Sequence, residues 1–282
     1  MSELRPCSFD TSVTVPVVLR TLQKVLINSE RSQSPLSREA RGRPGMSNSF
    51  LDAATTRGLD AVAAQPSILL PSSGEKMTYI ERTAIAQPRQ PLPTLLLIHS
   101  TSETAWAWSA MIAMVDKRTR VIAPTLRGFD TSQGPNAIAA VSEAIVEALG
   151  ALGIGSTFIA GSSMGARVAL AIAARAPTLV DGLVLFGCPT RLPDASSLLR
   201  DEPHILQDVR APTVVVWGTK DAICGLDDQV ELMKSLSSAR PRSFVEVRDA
   251  PHHVIGSHPK ACTRAINDFV GNISKLKFEG VL

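Results

Sequence analysis

The pentapeptide Gly161-Ser162-Ser163-Met164-Gly165 constrains this chain more than any other stretch, because its flanks define what it must connect. Thr157 to Ala160 is a short apolar run that reads as a buried strand. Ala166 to Arg175 is alanine-rich and reads as a helix stopped by Pro177. A G-x-S-x-G set between strand and helix predicts a sharp turn that carries the Ser163 hydroxyl at its tip. Both glycines are expected because a side chain at either position would collide with neighbouring backbone. The helix behind the turn would present N–H groups and its positive dipole end to negative charge developing beside Ser163. The bare pattern recurs by chance, and Ser163 could be an inert turn residue; the strand and helix around it are what give it weight. Ser162 reads as a strand-end residue.

A serine hydroxyl becomes a nucleophile when an imidazole can take its proton, and the imidazole needs a carboxylate to fix its tautomer. Thr213 to Gly218 is a second buried-strand pattern, followed by Thr219-Lys220-Asp221; Ser243 to Val247 is a third, followed by Asp249-Ala250-Pro251-His252-His253. Asp221 and His252 therefore fall just past the carboxyl ends of strands, where open α/β sheets place their sites. The bland alternatives are that Asp221 caps the next turn and that His253, His258 and His204 are surface or capping residues. Asp194, after the preceding strand, is a rival acid. Strands are expected near 67–71, 76–82, 94–99, 120–124, 157–162, 182–187, 213–218 and 243–248, with helices near 104–115, 136–150, 164–176, 226–237 and 259–275. Such alternation argues for a mostly parallel twisted sheet with helices on both faces.

Further segments extend the pattern. Leu95 to Ser100 is a strand ending in His-Ser, Val121 to Ser132 contains Ala-Pro-Thr-Leu-Arg-Gly, and Pro212 to Asp221 ends in Trp-Gly-Thr-Lys-Asp. From roughly residue 66 to the C-terminus the chain resembles the α/β-hydrolase superfamily, in its broad esterase-like branch. The resemblance implies Ser163 as nucleophile, His252 as base and Asp221 as its carboxylate, with the N–H groups of Met164 and Thr101 as the oxyanion hole. The spacing from His252 to Pro259 favours His252 over His253. His99 would orient the oxyanion loop, and His99, Ser100, Trp106 and Trp108 would lie near the substrate pocket, although core packing serves equally for the tryptophans. Ser100 stands where the family has glycine, and Thr125 and Asp130 where it has Asp and Gly. Only Cys188 to Pro212 lies between two sheet strands where lidded relatives insert far more, so the cap is expected to be near-absent and the cleft open. The reading is a serine hydrolase of carboxylic esters or thioesters, acting on a small-molecule ester or acyl substrate without a cofactor. A carbon–carbon bond hydrolase, a hydrolase-like small-molecule receptor and an acyltransferase of the same fold are the alternatives.

Composition sets the remaining bounds. A chain of 282 residues with formal charge +3 can bury one sizeable α/β core and has no lysine/arginine run that would suggest nucleic acid. No apolar stretch reaches membrane-span length. The five histidines lack metal spacing, so no metal site is expected. Cys7, Cys188, Cys224 and Cys262 are scattered, which reads as reduced thiols in a cytoplasmic protein, with Cys224 as buried filler. Residues 1–65 form an N-terminal extension with the composition of a disordered tail, apart from Val15 to Ile27, which could form an amphipathic helix; organelle targeting and a homo-oligomer stay open.

Overall fold

The computed structural model describes residues 66–85, 92–101, 103–126, 135–190 and 203–282. The expected extension over 1–65 lies outside the described residues, as do Asp130 and Asp194.

Eight strands form one sheet: β1 Ser67–Leu69, β2 Lys76–Arg82, β3 Thr94–Ile98, β4 Arg120–Pro124, β5 Thr157–Ser162, β6 Val180–Phe186, β7 Thr213–Gly218 and β8 Arg242–Val247. Their spatial order is β1-β2-β4-β3-β5-β6-β7-β8. The β1–β2 and β2–β4 pairs are antiparallel, and every later pair is parallel. The expected mostly parallel sheet is therefore present, with an antiparallel edge at its N-terminal side.

The strands are apolar on both faces because both faces are covered. In β3, Leu96 and Ile98 join one core cluster while Leu95 and Leu97 join the other. In β6, Leu183 and Leu185 part in the same way from Val184 and Phe186. This is the period of two expected when successive side chains point to opposite faces. The first cluster is closed by α2 (Pro135–Ala151) and α3 (Met164–Arg175), through Ile138, Ile145, Val168 and Ile172. The second is closed by α1 (Ser109–Ile112) and α7 (Pro259–Phe278), through Met111, Cys262, Ile266 and Val270. Helix α3 is buried from Met164 through Ala173, which explains its alanine content: small side chains let a central helix lie close against the sheet.

Three local expectations shift. The helix expected over 104–115 is a 3-10 turn, Ala105–Trp108, running into α1, because Thr104 accepts from the Trp106 N–H at 3.4 Å and from the Ala107 N–H at 3.0 Å. Such i→i+3 bonding closes a tighter coil than the α-helix. Strand β6 begins at Val180, two residues early, and α7 runs to Phe278. Between β6 and β7 the described part holds α4, Pro203–Asp208, and residues 191–202 lie outside it. The remaining helices are α5 (Leu226–Ser235) and a short α6 (Val254–Ser257), which periodicity did not reveal. Among the described residues, no helix is long and apolar enough to cross a membrane.

Candidate active site

Strand β5 delivers the candidate nucleophile at the centre of the sheet. Ser163 has φ 50° and ψ −117°, outside the regions that side chains prefer, and its N–H is tied to Phe186 O at 2.8 Å. The flanking glycines show why this turn can exist. A Cβ on Gly161 would stand 2.4 Å from Gly165 O, and one on Gly165 would stand 2.3 Å from Ile98 O and 2.5 Å from His99 O. The start of α3 thus packs backbone to backbone against the exit of β3. Ser162 ends β5 and is buried.

The candidate base and acid come from the exits of β8 and β7. Three hydrogen bonds stitch these exits together: Thr219 N–H to Val247 O at 3.0 Å, Lys220 N–H to Ala250 O at 2.9 Å, and Asp249 N–H to Thr219 Oγ1 at 2.9 Å. His252 Nε2 then lies 2.9 Å from Ser163 Oγ, and its Nδ1 lies 2.8 Å from Asp221 Oδ2. The other oxygen, Asp221 Oδ1, accepts the N–H groups of Ile223 and Cys224, both at 2.8 Å. Burial alone would raise the Asp221 pKa. The hydrogen bonds from His252, Cys224 and Ile223 outweigh it and hold the carboxyl below its ordinary value. A carboxylate on Nδ1 assigns the imidazole proton to that nitrogen, which leaves the Nε2 lone pair facing the serine hydroxyl.

The sequence model of the alpha/beta hydrolase fold family matches residues 93–210. A 96-residue stretch is 36% identical to an uncharacterized protein of Mycobacterium tuberculosis, covering 33% of this chain and 28% of that one. A 101-residue stretch is 40% identical to a 2-hydroxymuconate semialdehyde hydrolase of Pseudomonas sp. strain CF600, covering 33% of this chain and 35% of that enzyme. The chain thus matches about a third or less of the length of these relatives. A thermophilic esterase from Thermogutta terrifontis superposes with a TM-score of 0.60 at 21% identity, over 75% of this chain and 100% of that one. The chain has the α/β-hydrolase fold.

Around the three side chains, the residues predicted to line a pocket differ in burial. His99 is fully buried. Its Nε2 accepts the Leu126 N–H at 2.9 Å, so Nδ1 carries the proton and donates to Ser100 O at 2.7 Å. Burial pushes its pKa down, against the Ser100 bond and the nearby Glu103, which favours this neutral form. Trp108 is likewise core: it is buried and meets Phe186 edge-on, with ring centroids 5.9 Å apart. Trp106 is 42% exposed, and Ser100 and Thr101 are half-buried in the turn after β3. Met164 opens α3, where first-turn N–H groups have no partner within the helix. Thr125 accepts the Ala105 N–H at 3.3 Å, which gives this departure from the family pattern a structural use.

Two residues near the site were not anticipated. Glu103 accepts the Ser100 N–H at 2.9 Å and faces His253 Nδ1 at 3.2 Å, while His253 is exposed and caps α6, as expected of a surface or capping residue. Cys224 supplies a backbone N–H to Asp221, a role that no side-chain pattern could announce. Metal-binding atoms of Asp221, Cys224 and His252 lie within 4.8 Å of one another. They do not fit a resident ion: Nδ1 and Oδ2 are spent on each other, and burial drives the Cys224 thiol pKa far up, away from the thiolate a metal needs. Burial also pushes Cys188 and Cys262 up to about 12. All three are free buried thiols, as filler would be.

Proposed function

We propose that this protein is a serine hydrolase that cleaves a carboxylic ester or thioester through an acyl-enzyme. One observation carries the reading: an unbroken Asp221–His252–Ser163 hydrogen-bond chain ends on a serine held at positive φ at the head of a helix. Ser163 Oγ attacks the acyl carbon as His252 Nε2 takes its proton, while Asp221 steadies the imidazolium. The N–H groups of Met164 and Thr101 receive the oxyanion. His252 then gives the proton to the leaving alcohol or thiol. A water deprotonated by His252 releases the acid and restores Ser163. The step needs no cofactor. The short cap suits bulky or medium-chain acyl groups better than one tightly enclosed small substrate.

The stretch that is 40% identical to a semialdehyde hydrolase favours carbon–carbon bond hydrolysis as the second reading. A p-nitrophenyl ester panel run beside a dienoic ring-fission product separates them. Turnover of the esters with little of the dienoate supports the proposal, and the reverse ranking replaces it. A burst without turnover would mark a receptor, and alcohol-dependent product an acyltransferase.

A further inference from the structure

The peptide between Ser100 and Thr101 is held from two directions. Its carbonyl, Ser100 O, accepts from His99 Nδ1 at 2.7 Å. A trans peptide is planar, so fixing that carbonyl also fixes the Thr101 N–H, which points the opposite way. The preceding N–H, that of Ser100, donates to Glu103 Oε2 at 2.9 Å. The Glu103 N–H returns to Ser100 O at 3.4 Å, closing the turn.

Glu103 reaches further. Its second oxygen, Oε1, faces His253 Nδ1 at 3.2 Å, and His253 directly follows His252. The Nε2–Cδ2 edge of the His253 ring points at Gly256: a Cβ there would stand 2.3 Å from its Nε2 and 2.4 Å from its Cδ2. The absence of a side chain at 256 thus lets the ring lie where its Nδ1 meets Glu103. The Glu103 side chain is only 22% exposed, so water competes weakly for the carboxylate.

We propose that Glu103 is a positioning residue that ties the loop bearing the Thr101 N–H to the loop bearing His252, holding oxyanion donor and base in one frame. The inference rests on the hydrolase reading above and adds a residue to it. Glu103 touches neither substrate nor the reacting atoms. It acts by keeping the Ser100–Thr101 peptide turned toward the point where charge develops. Losing an oxyanion-hole donor outright costs about 10²–10³ in kcat, so a donor that is merely loosened should cost less, about 10–30-fold.

The test compares Glu103→Ala, Glu103→Gln, His253→Ala, Gly256→Ala and Glu103→Ala/His253→Ala in the full chain. Ester kinetics are read together with amide hydrogen exchange at Ser100. Glu103→Ala should lower kcat about 10–30-fold, with KM within about twofold, and speed Ser100 exchange, while amides of β5 and β6 keep their protection. Glu103→Gln should recover most of the rate, because its amide oxygen still accepts the Ser100 N–H. His253→Ala and Gly256→Ala should each cost about 3–5-fold, and the double variant should be no worse than Glu103→Ala, as expected for residues acting through one contact. Unchanged kcat in Glu103→Ala overturns the proposal. So does a loss that Glu103→Gln fails to recover, or unaltered Ser100 exchange. If the wild type turns over no ester, the hydrolase reading falls on its own, and Ser100 exchange still decides whether Glu103 holds the loop.

Discussion

Replacing Asp221 with asparagine tests the site at its most determined point. Oδ1 faces two N–H donors, Ile223 and Cys224, and Oδ2 faces His252 Nδ1. Asparagine keeps the shape but has one oxygen and one NH2. Turning the NH2 toward Ile223 and Cys224 would strip both N–H groups of their acceptor, at about 1–3 kcal/mol for the buried Cys224 donor and less for the part-buried Ile223 one. The amide oxygen must therefore take that side, and the NH2 must face His252. Nδ1 then has to offer a lone pair, and the proton moves to Nε2, 2.9 Å from Ser163 Oγ. An N–H aimed at the hydroxyl cannot accept its proton. A wrong tautomer of this kind lowers kcat about 10⁴-fold, or roughly 5.4 kcal/mol at 1.36 kcal/mol per decade. The fold should lose only about 1–2 kcal/mol, since charge-assisted bonds become neutral ones and no donor is orphaned. Steady-state p-nitrophenyl ester hydrolysis, paired with a thermal melt, reads both quantities. Asp221→Asn retaining more than a tenth of wild-type activity would refute the reasoning, as would an Asp194→Asn variant that is the inactive one.

Ser163→Ala should lose on the order of 10⁴-fold or more in ester hydrolysis and should escape a fluorophosphonate probe that labels wild type; labelling that moves with Ser162→Ala instead would reassign the nucleophile. Gly165→Ala should drive a methyl into Ile98 O and His99 O, both backbone atoms, costing about 3 kcal/mol or roughly 6–12 °C in Tm; a melt within 2 °C of wild type, about a 1 kcal/mol change, would show that β3 and α3 can part cheaply. Asp116 is held down to about 2, first by the Arg118 side chain and then by its N–H. A depressed carboxyl contributes stability that is present above its unfolded pKa of about 3.9 and is lost as pH falls toward the folded value. The gap in Tm between wild type and Asp116→Asn should therefore close between about pH 4 and pH 2, and a gap that is flat across that window would contradict the assignment.

What the sequence made legible follows from what repeats locally. The strand–turn–helix around Ser163 is contiguous, and its two glycines report a backbone collision that any reader can anticipate. The β7 and β8 exits carry Asp221 and His252 in an order that restricts their partners. The parallel sheet follows from apolar runs alternating with helical periods, because both sheet faces are buried. Less legible was whatever depends on contacts distant in the chain. Glu103 and His253 are 150 positions apart, and neither lies in a periodic pattern. His99 and Trp108 sit in the same stretch as Trp106, yet burial separates them from it, and single-sequence periodicity is weak over so short a 3-10 turn. Helix α6 is four residues long, too short to establish a period.

The backbone angle at Ser163 sets activity against endurance. A serine at φ 50° and ψ −117° occupies a conformation that glycine enters readily and that costs other residues about 1–3 kcal/mol. Ser163→Gly would relieve that strain, against about 0.4–1 kcal/mol of added freedom in the unfolded chain. The silenced variant should accordingly melt no lower than wild type, and on balance slightly higher. Selection for heat resistance alone would discard this residue first. On the proposed hydrolase reading, the turn trades stability for chemistry, and thermostabilising screens run without an activity assay should be expected to converge on an inert, sturdier copy of the same fold.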